Sequence, residues 1–403
     1  MNPNFVNAQE SENATSWQVQ SIDTMKFSRD LAREKRDDAS FNKIIDEQVK
    51  NIADTGATHI ALGTPYDEEF VPYLKKWVES ARKHNLKVWF RGNFSGWEGW
   101  FGYAPISREE HLLKTEKFII ANQELFHDGD IFTGCPECEN GGPGDPRLTG
   151  NVGGFTNFLI DSKTVAVNTF SSLGKRLETG YFSMNGDVAR LIMTKETTKK
   201  LGGIVTVDHY VESPEGLEKD IKEYMELSGG KVVLGEYGAP IDDIHGQMTE
   251  EQQSEWIENS LKRLVGIEGL VGINYWTNAG SSTHLWEDDG KPRLAADTVT
   301  RFYSPVSFKV NVSNGIGQPL NNVELEFLGI KYFTNDSGQI SIKYIMDKSS
   351  EENHAAILKV SKEKYLSTII SINQLEPKDQ KVLLEQIHES LFFKIKRFFY
   401  ERF

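Results

Sequence analysis

From about Trp17 to Ser304, short apolar runs alternate with stretches in which apolar residues recur every three or four positions. The first pattern predicts β-strands and the second amphipathic helices. Eight such units can be read, with strands expected over 18–23, 58–62, 87–91, 130–134, 179–184, 204–209, 232–236 and 272–276. Lys87-Val-Trp-Phe and Lys231-Val-Val-Leu are nearly continuous apolar runs, as a parallel strand covered on both faces requires. Phe41, Ile44, Ile45, Val49 and Ile52 form one helical stripe, and Trp256, Ile257, Leu261, Leu264 and Val265 another. Gly56 and Gly229-Gly230 read as helix stops, and Ser213-Pro214-Glu215 as an N-cap followed by proline at the first helical position. The repeated unit predicts an α/β fold, a (β/α)8 TIM barrel over 17–304. A doubly wound open sheet would alternate in the same way, but no Gly-x-Gly-x-x-Gly turn follows the first strand.

After Pro305 the period shortens to two, with alternating or apolar runs over 307–313, 323–328, 339–344, 356–361 and 368–372 between Asn-, Gly- and Ser-rich turns. This predicts a small all-β sandwich over 305–375. A final amphipathic helix is expected over 376–403. Leu383, Leu384, Ile387, Leu391, Ile395 and Phe398 fall on one face, with Lys394, Lys396, Arg397 and Arg402 toward the end. Basic and aromatic residues together permit contact with a membrane surface. A helix docked on its own protein, with cations at its C-terminal end, is the favoured reading.

Composition narrows the partners. The chain carries 45 Lys+Arg against 59 Asp+Glu, a net charge of −14. A nucleic-acid partner needs a concentrated basic surface, so a neutral ligand such as a sugar polymer fits better. No run of apolar residues is long enough for a transmembrane helix. Residues 1–16 form a polar segment; Val6-Asn7-Ala8, read as the stub of a processed signal, would place the protein outside the cell or in its envelope. Cys135 and Cys138 are the two cysteines. They lack the partners of a zinc site and the helix N-terminus of a redox motif, so no metal and no cofactor are expected. A disulfide between them remains open.

In a barrel of this kind, reactive groups stand at the C-terminal ends of the strands. Glu236, in Gly235-Glu236-Tyr237-Gly238, ends an apolar run, where an unpaired carboxylate cannot be core. Glu137 follows the fourth strand and precedes a glycine-rich loop, with Glu139 as the alternative two residues on. Two carboxyl groups facing each other can cleave a glycosidic bond, one protonating the leaving oxygen and the other attacking carbon or activating water. Phe94, Trp97, Trp100, Phe101 and Tyr103 crowd the loop after strand three. Such rings either stack on sugars or pack together beneath the loop.

The eight-unit pattern, with Glu after the fourth strand and Gly-Glu-Tyr-Gly ending the seventh, resembles glycoside hydrolase clan A, nearest its cellulase-like families, over roughly 17–304. The resemblance implies a retaining hydrolase of O-glycosidic bonds in an oligo- or polysaccharide, with Glu137 as acid/base and Glu236 as nucleophile. It also implies that His209-Tyr210 support the nucleophile, that Trp276 floors the sugar site and that Asn278 and Trp286 lie near it. Arg91 resembles the basic residue beside the nucleophile, and equally suits a structural ion pair. The asparagine usual before the acid is replaced by Pro136; Asn93, Asn140 and Asn185 are candidates to supply its contact. The alternative is a non-catalytic carbohydrate-binding barrel, a decayed enzyme. Gln318-Pro-Leu-Asn-Asn-Val and Phe333-Thr-Asn-Asp-Ser-Gly-Gln resemble carboxypeptidase-regulatory-like and related Ig-like modules.

Overall fold

The computed structural model describes residues 17–346 and 355–387. They fall into two compact units that divide between Ser304 and Pro305.

The first unit is a (β/α)8 barrel. Its strands are β1 (Val19–Asp23), β2 (His59–Leu62), β3 (Lys87–Phe90), β4 (Ile131–Phe132), β5 (Ser183–Asn185), β6 (Ile204–Asp208), β7 (Lys231–Tyr237) and β8 (Leu270–Tyr275). They pair in parallel in the order β4-β3-β2-β1-β8-β7-β6-β5. The ring closes through a parallel bridge from Ile131 to Glu178, just ahead of β5. Phe132 N donates to Glu178 O at 2.8 Å and Glu178 N to Asp130 O at 3.0 Å. Closure leaves no free sheet edge, and side chains from seven strand regions (Val19, Ala61, Trp89, Ile131, Tyr181, Val233 and Val271) fill the interior as one apolar cluster.

The helices follow their sequence signals closely. In Pro214–Ser228 the Ser213 hydroxyl accepts from Gly216 N, proline occupies the first turn, and Gly229 ends the helix at φ 62°. Capping satisfies backbone groups that the first and last turns leave without partners. Phe41, Ile45, Val49 and Ile52 face inward from Phe41–Asp54. Ile44, placed on the same stripe by its period, lies at its margin and is exposed.

The second unit packs two sheets over one core. One has the order β11-β10-β13-β14 and the other β12-β9-β15. The strands are β9 (Val306–Asn314), β10 (Glu324–Phe327), β11 (Ile330–Phe333), β12 (Gln339–Tyr344), β13 (Ala355–Ser361), β14 (Thr368–Asn373) and β15 (Gln380–Leu384). Phe308, Val310, Leu325, Phe327, Ile342, Leu358, Val360 and Val382 belong to the shared core.

Strand β15 corrects the helix expected from residue 376. Val382 and Leu384 are buried while Lys381 and Leu383 are exposed, a period of two that pairs β15 in parallel with β9. Four aliphatic and basic residues are too few for period alone to separate strand from helix. The rest of that expected helix, 388–403, and the polar segment 1–16 lie outside the described residues. Among the described residues no helix is long and apolar enough to cross a membrane.

Trp89 shows what holds the barrel interior. It is fully buried, meets Tyr181 edge-on at 5.7 Å and donates from Nε1 to Thr133 Oγ1 at 2.9 Å. Trp89→Ala should therefore cost about 3–5 kcal/mol of stability, read by urea denaturation of the full chain. A loss below about 1 kcal/mol would contradict this packing.

Candidate active site

The site grows from an arginine. Arg91 follows β3 directly, and its side chain is buried at the C-terminal mouth of the barrel. Nη1 donates to Asp23 Oδ2 at 2.9 Å, from the end of β1. Nη2 donates to Asp208 Oδ2, at the end of β6, and to Ser183 Oγ on β5, both at 3.0 Å. Glu236 Oε1 on β7 is 3.3 Å from the same nitrogen. A planar guanidinium with five donors can serve several acceptors at once, which an ammonium group does less well. Burial opposes its charge, but Asp208, Glu236 and Asp23 outweigh that and hold the proton firmly in place.

Glu236 reaches the mouth through a β-bulge. Val207 pairs with Leu234 but Asp208 with Glu236, so Gly235 is an extra residue in β7. The pairing with β8 shifts over the same stretch. A bulge turns the following side chain and ends regular pairing. The bulged position has to be glycine: a Cβ there would lie 2.3 Å from Asp208 Oδ1. Asn274 of β8 fills the distortion, donating from Nδ2 to Gly235 O at 2.8 Å and to Asp23 Oδ2 at 3.2 Å.

Glu236 is thereby set between Arg91 and Tyr210, whose hydroxyl donates to Oε2 at 2.9 Å. Burial raises its carboxyl, and although Arg91 and the Tyr210 hydrogen bond pull the other way, Asp23 adds to the rise and the net shift is upward. Glu137 stands opposite with no cation in contact. Its Oε2 accepts from Asn140 Nδ2 at 3.0 Å. Burial, then the nearby charges of Glu236 and Glu139, push it up to about 8. The two glutamates and Asp208 each present a carboxylate oxygen within 4.8 Å of the others. Such a trio has the spacing of metal ligands, but Arg91 already gives two of the three a fixed positive charge.

The remaining candidates separate into those at this centre and those that support it. Trp276, half-exposed after β8, meets Tyr210 edge-on at 6.1 Å and lies under the Lys26 ammonium. The Trp276–Thr277 peptide is cis. His209 points the other way, to Asp220 Oδ2 at 2.8 Å, because consecutive residues leave an extended chain on opposite sides. Glu139 is buried and accepts from Asn185 N at 2.7 Å and from Asn185 Nδ2 at 3.0 Å. That pairing ties up Asn185. Asn93 is buried against His111 Nε2 at 2.9 Å and donates to Glu98. Asn278 donates to Gln48 at 2.9 Å, and Trp286 is buried in a bridge to Pro292.

The aromatic loop packs mostly on itself. Trp97 is buried, stacked on Phe158 at 4.9 Å, with His111 edge-on and Gly141 and Gly142 against the ring. Phe101 packs on Phe70. Trp100 is half-exposed and is covered on one face by the Arg29 guanidinium at 4.7 Å. Trp97 is thus a packing residue beneath the loop, not one facing the open mouth.

Sequence reading passed over Ser183, Asn274 and Glu98. The first two are polar residues inside apolar strands, which is a usable signal because a buried polar side chain needs a partner. Glu98 sits on the short helix Ser95–Glu98 and is pushed up to about 7, by burial against the Asn93 hydrogen bond. Nothing in its sequence neighbourhood marks it.

No sequence-family profile matches the chain, and no curated protein matches it. Solved structures do. A GH5_18 from Bifidobacterium longum subsp. infantis superposes with a TM-score of 0.52 at 13% identity, covering 75% of this chain and 84% of that one. A GH5_18 from Bifidobacterium longum subsp. longum, in complex with Manβ1-4GlcNAc, gives 0.51 at 13% identity, covering 75% and 86%. At that identity the likeness is one of fold. A Bacteroides uniformis β-glucuronidase 2, covalently bound to cyclophellitol-6-carboxylate aziridine, gives 0.47 at 13% identity over 85% of this chain. The chain spans only 44% of that structure and 57% of a Facaelibacterium prausnitzii β-glucuronidase, roughly half the length of each.

The raised Glu137 has a consequence for stability. Its folded value near 8 exceeds the ordinary 4.5, so between these limits the folded chain keeps a proton that the unfolded chain has lost. This contribution is complete below the unfolded value and is lost as pH rises through the folded one. Glu137→Gln removes it, so the variant should gain stability relative to the native chain from about pH 5 to about pH 9. Urea denaturation at a series of pH values measures this, and a pH-independent difference would contradict it.

Proposed function

We propose that the barrel is a glycoside hydrolase that works with retention of configuration on an oligo- or polysaccharide. The reading rests on one observation: Glu137 and Glu236, from the ends of β4 and β7, approach within 4.8 Å while only Glu236 touches Arg91 and Tyr210. Carboxyl groups about 5–5.5 Å apart suit double displacement, whereas inversion needs about 6.5–9.5 Å to admit a water.

The electrostatics divides the labour. Glu236, held by a cation and a hydroxyl donor, is the ionised carboxylate that attacks the anomeric carbon. Glu137, without a cation, keeps the proton that it gives to the departing oxygen. The glycosyl ester on Glu236 is then cleaved by water, whose proton Glu137 takes up, and both groups return to their starting states. Trp276 offers an aromatic floor for the sugar beside Tyr210. Asn140, which contacts Glu137, is the candidate to supply the contact of the asparagine that Pro136 displaces. Residues 305–375, together with β15, are read as an accessory sandwich of the Ig-like kind, and the sugar partner is neutral.

A panel of aryl glycosides and polysaccharides tests this. Glu236→Gln should lower turnover at least about 10³-fold, and a 2-fluoro glycoside should label Glu236 in the native chain. Activity should fall as pH rises through about 8, where Glu137 loses its proton, and Glu137→Gln should lack that limb. Sugar binding without hydrolysis across the panel would favour the decayed enzyme instead.

A further inference from the structure

The Cys135-Pro136-Glu137-Cys138 segment does more than connect a strand to a loop. Cys135 and Cys138 are joined in a disulfide that spans Glu137, with Cα atoms 5.2 Å apart. Both are buried. Inside this small ring Glu137 takes φ 41°, ψ 49°, in the left-handed region. A residue with a side chain is disfavoured in that conformation, so something around it must impose it.

Anchors on three sides are present. Glu137 N donates to Ser183 O at 2.8 Å, on β5, and Asn140 N donates back to Glu137 O at 2.8 Å. Cys138 O accepts from Trp97 Nε1 at 3.2 Å. Cys135 Sγ accepts from Asn93 Nδ2 at 3.5 Å. The bridge thus ties the Glu137 backbone to the packed loop after β3, whose Asn93 and Trp97 make no contact with the carboxyl pair themselves. Pro136 fixes one further backbone angle in the ring.

We propose that the Cys135–Cys138 disulfide is a positioning element for the acid: it holds Glu137 in its left-handed conformation so that the carboxyl faces Glu236 across the mouth. This inference rests on the glycosidase reading. It gives the buried aromatic pack under the loop a purpose, as the rigid base on which the ring is mounted. The bridge acts on leaving-group protonation and leaves nucleophilic attack by Glu236 alone.

The test compares the native chain with Cys135→Ser/Cys138→Ser on two glycosides of whichever sugar and anomeric configuration the native chain cleaves. One carries a dinitrophenolate leaving group, which departs without protonation, and the other a poor alkyl leaving group. The expected result is about a hundredfold loss of kcat/KM on the poor leaving group, a change of less than about threefold in kcat/KM on the good one, whose kcat still falls because Glu137 also activates water, and a lower pH for the basic limb. Labelling of Glu236 by the matching 2-fluoro glycoside should proceed at the native rate, which serves as the check on folding. Equal rates on both substrates with an unmoved limb would overturn the proposal. So would loss of labelling together with loss of folding, since the bridge would then be supporting the whole barrel. If the native chain itself cleaves no glycoside, the glycosidase reading fails first and the proposal with it; native cleavage with an indifferent variant defeats the bridge alone.

Discussion

One buried cation organises the mouth of this barrel. Arg91 is buried, and a guanidinium in that position is tolerable only among acceptors. Asp23, Asp208, Glu236 and Ser183 supply them from four strands. The arrangement is reciprocal, because the carboxylates could not crowd together without the arginine. Strand ends that would otherwise repel one another are drawn into register around it. The bulge at Gly235, the Asn274 plug and the Tyr210 hydroxyl then fix how Glu236 faces outward.

The same cation makes two chemically identical residues different. Glu236 lies against Arg91, and Glu137 does not, although their oxygens are within 4.8 Å. When two carboxyl groups share so small a space, one proton is retained by the pair. It belongs on the member without the cation. In the glycosidase reading this sorting is what turns a cluster of acids into an acid and a nucleophile. Glu139 and then Glu98 add negative charge around Glu137 and raise the cost of removing that proton.

Much of this architecture is legible in the sequence because period reports burial directly. Eight apolar runs interleaved with 3.6-residue stripes give the barrel, and the end of a run locates Glu236 without further help. Glu137 is found in the same way, although β4 is only two residues long and the chain wanders for four more before reaching it. Side-chain direction is harder to read. His209 and Tyr210 are adjacent in the sequence yet face opposite sides, and nothing local says which one meets Glu236. Trp97 and Trp276 look alike as exposed-loop aromatics, but Phe158, more than fifty residues from Trp97, decides that the first is packing. Strand β15 was hidden because its partner β9 lies far back in the chain.

The central claim is the sorting of one proton between two glutamates, and carboxyl-carbon NMR of the ¹³C-glutamate-labelled chain measures it most directly. Resonances are assigned by their loss in Glu137→Gln and in Glu236→Gln. With one proton on the pair, the Glu137 resonance should report the acid and the Glu236 resonance the carboxylate, with Glu137 titrating near 8. A proton found on Glu236 while Glu137 is ionised, or both groups ionised at neutral pH, would contradict the account.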